Sequence, residues 1–263
     1  MAHLQSQGRF VFSGQEAQKA LGVSRGAFLD AAEKRQRSRQ LISPRRDFYV
    51  IVPPQYLSSG APPPAWYIDA LMKHVQQPYY VGLLTAAGLR GASAEAATEF
   101  QVVTAMRLPE IRLGRTVVAF YYRKDMNTVA SATEQRTTDT GSMNVSSPEL
   151  TALDLLRYPS AGGGFDAVAK VLSQLGSHLD PDKLATLSAA FERSVVQRLG
   201  YLLSKLEHVK RAKSLHRSLL TRSPLPWVEL EPAQAADEQH GSSAPERDQT
   251  WRVIVRRASW TQP

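Results

Sequence analysis

Side chains able to do covalent or metal chemistry are sparse in this chain. It has no cysteine, which removes disulfides, zinc–thiolate sites, iron–sulfur clusters and a thiol nucleophile. The six histidines (His3, His74, His178, His208, His216 and His240) show no HExxH or other metal-ligand spacing. Gly162-Gly163-Gly164 precedes a predicted helix, as a phosphate-cradling loop would. No Lys-Ser/Thr follows it, and a plain turn explains it as well. Glu99-Phe100-Gln101 is the nearest approach to the acid-x-Lys strand of a metal-dependent nuclease, and the lysine is missing. Asp154 interrupts an apolar helix and reads as a cap or an ion-pair residue, with Arg157 the candidate partner. No catalytic set, metal or cofactor is expected.

The constellation with a coherent chemistry is basic and lies near the N-terminus. Gly22 supplies a permissive turn, Ser24 a helix cap, and Arg25, Gly26 and Ala27 the first turn of the helix that follows. A helix-turn-helix needs this order, because the second helix must present its N-terminal residues to base edges in the major groove. Arg25 can hold a guanine edge or a phosphate with two bonds, and Gly26 and Ala27 allow close backbone approach. Leu29 and Asp30 come one turn later on the outer face. Gln18 is irregular, since the position four before the turn glycine is often small; Ala17 lies beside it. Lys34, Arg35, Arg37 and Arg39 form a basic rim, and Arg45 and Arg46 sit at a hairpin tip where phosphates or the minor groove would be met. Residues 1–56 hold nine basic and four acidic side chains, a net +5, more than half of the whole chain's +8.

These residues need a scaffold. Ser13 caps a predicted helix from 14 to 21, and a second runs from 25 to about 37 with Phe28 and Ala32 on its buried face. Leu41-Ile42, the turn 43–47 and Phe48–Val52 read as a β-hairpin. The stretch PPQYLSSGAPPPAW, residues 53–66, has five prolines and reads as a linker, bounded at 57–75. A helix is expected at about 79–89. Strands are expected at 99–104, 116–122 and 140–147 from their β-branched and aromatic content. Helices follow from Pro148, at about 165–175, from Pro181 through Phe191, and from Val195 through Leu206. The polar stretch 231–249 reads as a mobile loop, with a possible strand at 251–255. The fold class is therefore α+β: a winged helix-turn-helix at 1–56, a linker at 57–75, a mixed α/β domain with a helical C-terminal half at 76–230, and a polar loop with a possible strand at 231–263.

A second basic cluster, residues 208–222, places Lys210, Arg211, Lys213, Arg217 and Arg222 on one predicted helix without an acid. A solvated helix face, a second DNA-backbone contact and a site for an acidic protein all fit it. The start MAHLQSQGRF lacks the apolar stretch of a signal peptide, and no run approaches the roughly 20 apolar residues of a membrane span, so a cytoplasmic protein is expected.

The order of several segments resembles a known family. FSGQEAQKALGVSRGAF followed by PRRDFYVIVPPQY is similar to the N-terminal domain of AbiEi-type antitoxins. YYVGLLTAAGLRGA, EFQVVT, IRLGRTVVAFYYRKD, TGSMNVSSPELTALDLLRYP and GGFDAVAKVL resemble the antitoxin domain of the same family, and the resemblance covers about 1–230. It implies a winged domain that represses its own operon by binding inverted repeats of double-stranded promoter DNA. It implies a larger domain that counters a nucleotidyltransferase-like toxin encoded next door. Such pairs are type IV toxin–antitoxin systems linked to phage abortive infection, in which neutralisation need not involve a stable complex. Basic residues of the family's second domain also take part in DNA binding, which suits Lys210, Arg211, Lys213 and Arg217. Asp47 departs from the glycine expected at the wing tip, though Asp tolerates the left-handed conformation. A solitary transcription regulator without a toxin, and an enzyme such as a nuclease carrying a DNA-targeting module, are the rival readings.

Overall fold

The computed structural model describes residues 1–92, 99–222, 224–231 and 245–256. It divides the chain into two compact units, one made of Met1–Val81, Thr98–Met126 and Glu134–Val145, the other of Gly82–Ala97, Asn127–Thr133 and Ser146–Pro263. The folded units therefore interleave along the chain, where the sequence suggested a simple succession of domains.

The first unit opens with α1 (Ala2–Ser6), β1 (Val11–Ser13), α2 (Gly14–Leu21), α3 (Arg25–Arg37), β2 (Leu41–Arg45) and β3 (Phe48–Ile51). β3 is central, antiparallel to both neighbours in the order β1-β3-β2. This succession of a helix-turn-helix and a hairpin is that of a winged helix. Phe12, Phe28, Ala32, Leu41, Tyr49 and Ile51 form its core, with Leu4, Phe10 and Ala17 packed at the margin.

The proline-rich stretch is packed, contrary to its reading as a linker. Ala61, Tyr67, Ile68, Leu71 and Met72 are buried, and residues Ile68–His74 form α4. The Trp66 indole donates to Asp139 at 3.0 Å, and the ring lies 5.0 Å from Phe10 and 5.2 Å from Tyr56. Prolines exclude helix interiors and central strands, but they also fix φ and carry apolar surface, so a proline-rich segment can dock firmly without regular structure.

Six strands complete this unit: β4 (Tyr79–Val81), β5 (Phe100–Thr104), β6 (Ile111–Leu113), β7 (Thr116–Tyr122), β8 (Thr133–Thr138) and β9 (Gly141–Ser146), in the order β6-β7-β5-β4-β9-β8. β5 and β7 run parallel, with Val102 opposite Phe120 and Thr104 opposite Tyr122. The expected helix at 79–89 is split. Tyr79-Tyr80-Val81 is buried in the sheet, and the chain turns at Gly82 before α5 (Leu83–Gly88). Two aromatics and a valine suit a pleated, buried surface better than a helix.

The second unit is helical: α5, α6 (Pro148–Arg157), α7 (Phe165–Leu175), α8 (Pro181–Ser188), α9 (Arg193–Lys205) and α10 (Val209–Leu220). α6 starts where Ser147 accepts the Leu150 N–H at 3.2 Å and Pro148 takes the first position. It is buried nearly all round, and the burial takes in Glu149, Thr151 and Asp154 beside its leucines. Phe191 lies beyond the end of α8, in the turn before α9. A small sheet of β10 (Val228–Glu229), β11 (Glu246–Asp248) and β12 (Val253–Val255), in the order β10-β12-β11, also belongs here. Trp251 anchors it on α9. Its indole donates to the Ser204 hydroxyl at 3.0 Å, and its ring fills the space that a side chain at Gly200 would occupy. Most of the polar stretch expected to be mobile, residues 232–244, lies outside the described residues.

Candidate nucleic-acid interface

The helix-turn-helix is built by local signals in sequence. Ser13 accepts the Glu16 N–H at 3.0 Å and opens α2, and Gly22 closes it in the left-handed conformation, φ 63°. Ser24 accepts the Ala27 N–H at 3.3 Å and opens α3. α3 buries only Phe28 and Ala32, one turn apart, so the rest of its surface faces outward. Phe28 meets Tyr49 edge to face at 5.2 Å, and Tyr49 stacks on Phe12 at 5.6 Å, which fixes α3 against the sheet. Ala17, packed at the core margin, takes the small-residue role that the sequence left open beside Gln18. Gly14 is buried; a β-carbon there would press on Phe28 at 3.1 Å and Tyr49 at 3.3 Å and collide with the Asp47 carboxylate.

A groove of about 410 Å³ lies between α2, α3 and the hairpin turn. Gln15 and Gln18 line it from α2, Arg25 and Leu29 from α3, and Arg46 and Asp47 from the turn, with Phe28 and Tyr49 also contributing. Arg25 and Arg46 are exposed, and neither makes an ion pair among the described residues. Burial and the neighbouring Asp47 carboxylate push the Tyr49 hydroxyl above its usual pKa, while Arg25 draws it back, so both charges act on this groove. Ser24, Gly26 and Ala27 are exposed at the start of α3, and Leu29 keeps 45% of its surface accessible.

The structure parts the two hairpin arginines that the sequence had grouped. Arg45 pairs with Phe48, so the turn is only Arg46 and Asp47, and Asp47 adopts φ 59°. The left-handed conformation is thus met by Asp where glycine was expected. Arg46 stays outside. The backbone carbonyl of Arg46 accepts from His74 Nε2 at 3.0 Å, and the His74 ring packs 5.3 Å from Phe48. Arg45 turns away from the groove. It donates to the carbonyls of Pro44 and Pro109, and its guanidinium lies 5.5 Å from the centre of the Phe120 ring. Partial burial lowers its pKa, and these contacts hold it away from the outward position at the hairpin tip where the sequence placed it.

On the basic rim, Lys34 is exposed and makes no ion pair among the described residues. Arg35 donates to Gln40 at 2.6 Å, and Arg37 pairs with Glu33 at 2.6 Å. The second cluster is smaller than the sequence implied. Lys210, Lys213 and Arg217 are exposed along one side of α10. Arg211 turns inward and donates to the carbonyls of Leu179 at 3.0 Å and Ser177 at 2.7 Å; Arg222 donates to those of Ser188 and Phe191.

The sites considered for catalysis take structural roles. Gly163 and Gly164 have φ 73° and 95° in the turn into α7, and a β-carbon on Gly162 would collide with Val168. Arg157 pairs with Glu192 at 3.1 Å, where Asp154 was the expected partner. Gln101 is buried within β5. Among the described residues, no three His, Asp or Glu side chains are placed to hold a metal ion, and no helix is long and apolar enough to cross a membrane.

Residues 80–205 match the family model described as the AbiEi antitoxin C-terminal domain, so the resemblance read from the sequence is borne out over that span. No curated protein matches the chain. Among solved structures, the chain is similar to the crystal structure of the RV2827C protein from Mycobacterium tuberculosis. The TM-score is 0.66 at 14% identity, over 97% of this chain and 89% of that one. At that identity the likeness shows a shared α+β fold.

Proposed function

Because residues 80–205 carry an AbiEi antitoxin domain, we propose that this chain is the antitoxin of a type IV toxin–antitoxin pair and represses its own operon. In this reading the winged helix binds inverted repeats in the promoter. Arg25 reads a base edge at the head of α3, Arg46 meets the backbone from the turn, and Lys34 lies at the rim. The remainder of the chain counters a nucleotidyltransferase-like toxin encoded next door, without needing a stable complex. Lys210, Lys213 and Arg217 form a second contact to the DNA backbone. The chain works in the cytoplasm and has no reaction of its own to catalyse.

The observation that carries the DNA-binding half is the groove lined by Arg25 and Arg46, neither of which makes an ion pair among the described residues. The antitoxin half rests on the family match. One pair of assays tests both. Full-length chain carrying Arg25→Ala and Arg46→Ala is expected to lose promoter binding in gel shifts, yet still to rescue growth when the neighbouring toxin is expressed from a separate promoter. Loss of rescue together with DNA binding would mean that Arg25 or Arg46 also takes part in neutralisation, so that the two functions are not separable. A neighbouring gene with no toxic product would favour a solitary regulator.

A further inference from the structure

The hairpin turn is short for a wing. Only Arg46 and Asp47 lie beyond the paired strands, and Arg45 is held inward. What Arg45 holds is the loop between β5 and β6, residues 105–110, through the Pro109 carbonyl. Its guanidinium also covers the Phe120 ring on β7. Two residues on, and so on the same face of the pleat about 7 Å away, Tyr122 carries the guanidinium of Arg107 at 4.7 Å from its ring centre. Arg107 is exposed and makes no ion pair among the described residues. Met106 beside it keeps 44% of its surface accessible. Residues 105–115 hold Arg107, Arg112 and Arg115 against Glu110 alone, and Glu110 is already paired with Arg112 at 3.0 Å.

We propose that this loop is an outward extension of the wing that grips the duplex flanking the recognition helix, with Arg107 bonding a backbone phosphate. The proposal rests on the DNA-binding reading above. A guanidinium stacked on a tyrosine has one face covered and its in-plane N–H groups free, the geometry that takes two phosphate oxygens at once. The loop with its surplus positive charge is tied through Pro109 to Arg45, the residue before the turn that carries Arg46, and an excess of one sign favours a polyanion over a protein carrying mixed charge. Arg45 is a positioning residue: it fixes the loop and touches no DNA.

The test uses the full chain and two promoter duplexes. One is the inverted repeat alone, and the other is extended by ten base pairs on each side. Affinity is measured against salt. Each lost phosphate contact should lower the slope of log K against log salt by about 0.9. Arg107→Ala is expected to lose that amount on the extended duplex and nothing on the short one. Arg107→Gln, which removes the charge and keeps a longer polar side chain, should do the same and covers the case where the alanine variant folds poorly. Arg45→Ala should cost the same slope, and the Arg45→Ala/Arg107→Ala pair no more than either alone. An unchanged slope in both Arg107 variants, with Arg46→Ala losing its share, overturns the proposal and leaves the DNA-binding reading intact. Equal loss on both duplexes overturns the flanking placement. If the unmodified chain shows no preference for promoter over scrambled duplex and no salt dependence, the DNA-binding reading itself fails.

Discussion

Arg25→Ala should weaken DNA binding and at the same time stabilise the fold. Arg25 is the first residue of α3, and no acidic side chain shares that first turn. A cation there opposes the positive end of the helix dipole, which typically costs about 0.3–1 kcal/mol. Alanine has no such charge and is the best helix former, so its removal should return that amount. For a protein of this size the gain is roughly 1–4 °C in the melting temperature. The loss at the preferred site should be about 1–3 kcal/mol if Arg25 holds a guanine edge with two bonds, or roughly 5- to 150-fold in affinity. Differential scanning calorimetry gives the first number, and competition gel shifts with specific and scrambled duplexes give the second. Opposite signs in the two assays mark a residue kept for binding at the expense of stability. A lowered melting temperature would show that Arg25 packs rather than reads. Equal loss on both duplexes would reduce it to a phosphate anchor.

Gly14→Ala should destabilise the winged helix by about 1–3 kcal/mol through overpacking against Phe28 and Tyr49, seen as a lower urea midpoint. Arg211→Ala should lower the melting temperature and leave the salt dependence of DNA binding unchanged, because its guanidinium serves the Leu179 and Ser177 carbonyls. The triple change Lys210→Ala, Lys213→Ala, Arg217→Ala should instead reduce the salt slope with little change in melting; an unchanged slope would return this face to a merely solvated one. Asp180 caps α8 by accepting the Asp182 and Lys183 N–H groups, both at 2.9 Å, and these bonds hold its pKa below the usual carboxylate value. The stabilisation is therefore complete above the unfolded value of about 3.9 and fades as pH falls through the lower folded value. The melting-temperature gap between the native chain and Asp180→Ala should shrink as the solution is acidified below about pH 4, and a gap that grew would contradict the cap.

The elements legible in the sequence are those fixed by neighbours along the chain. Ser13, Ser24, Ser147 and Asp180 cap helices that begin where the sequence placed them, and Gly22 ends α2 as expected. The strands at Phe100–Thr104 and Thr116–Tyr122 follow from β-branched and aromatic runs. Short strands such as β1, β4 and β6 carry three residues each, too few for a period to show. Arg45 and Arg46 look equivalent in sequence because what separates them is Pro109 and Phe120, more than sixty residues away. The same holds for Arg211, whose partners lie about thirty residues earlier. Gln15 and Gln18 reach the groove only because α2 and the hairpin turn converge, and Gly14, buried beneath the Asp47 carboxylate, was the nearest clue to that approach.

The division of the chain follows from how its sheet is assembled. β5 and β7 run side by side in parallel, and β4 pairs with β9, which comes more than fifty residues later. Parallel neighbours need crossover connections, and the chain between them must be accommodated outside the sheet. The long path from β4 to its parallel neighbour β9 supplies α5 to the helical unit before the chain returns at β5, which is antiparallel to β4. A boundary drawn once, at the prolines, misses this, because proline marks where regular structure stops and says nothing of which core the segment joins. Cutting near residue 66 would take Tyr67, Ile68, Leu71 and Met72, all at most 1% exposed, away from the winged helix whose unit they share. Point substitutions in the full chain are for that reason the sound way to separate DNA binding from neutralisation: they change the charge at Arg25 or Arg46 and leave both cores intact.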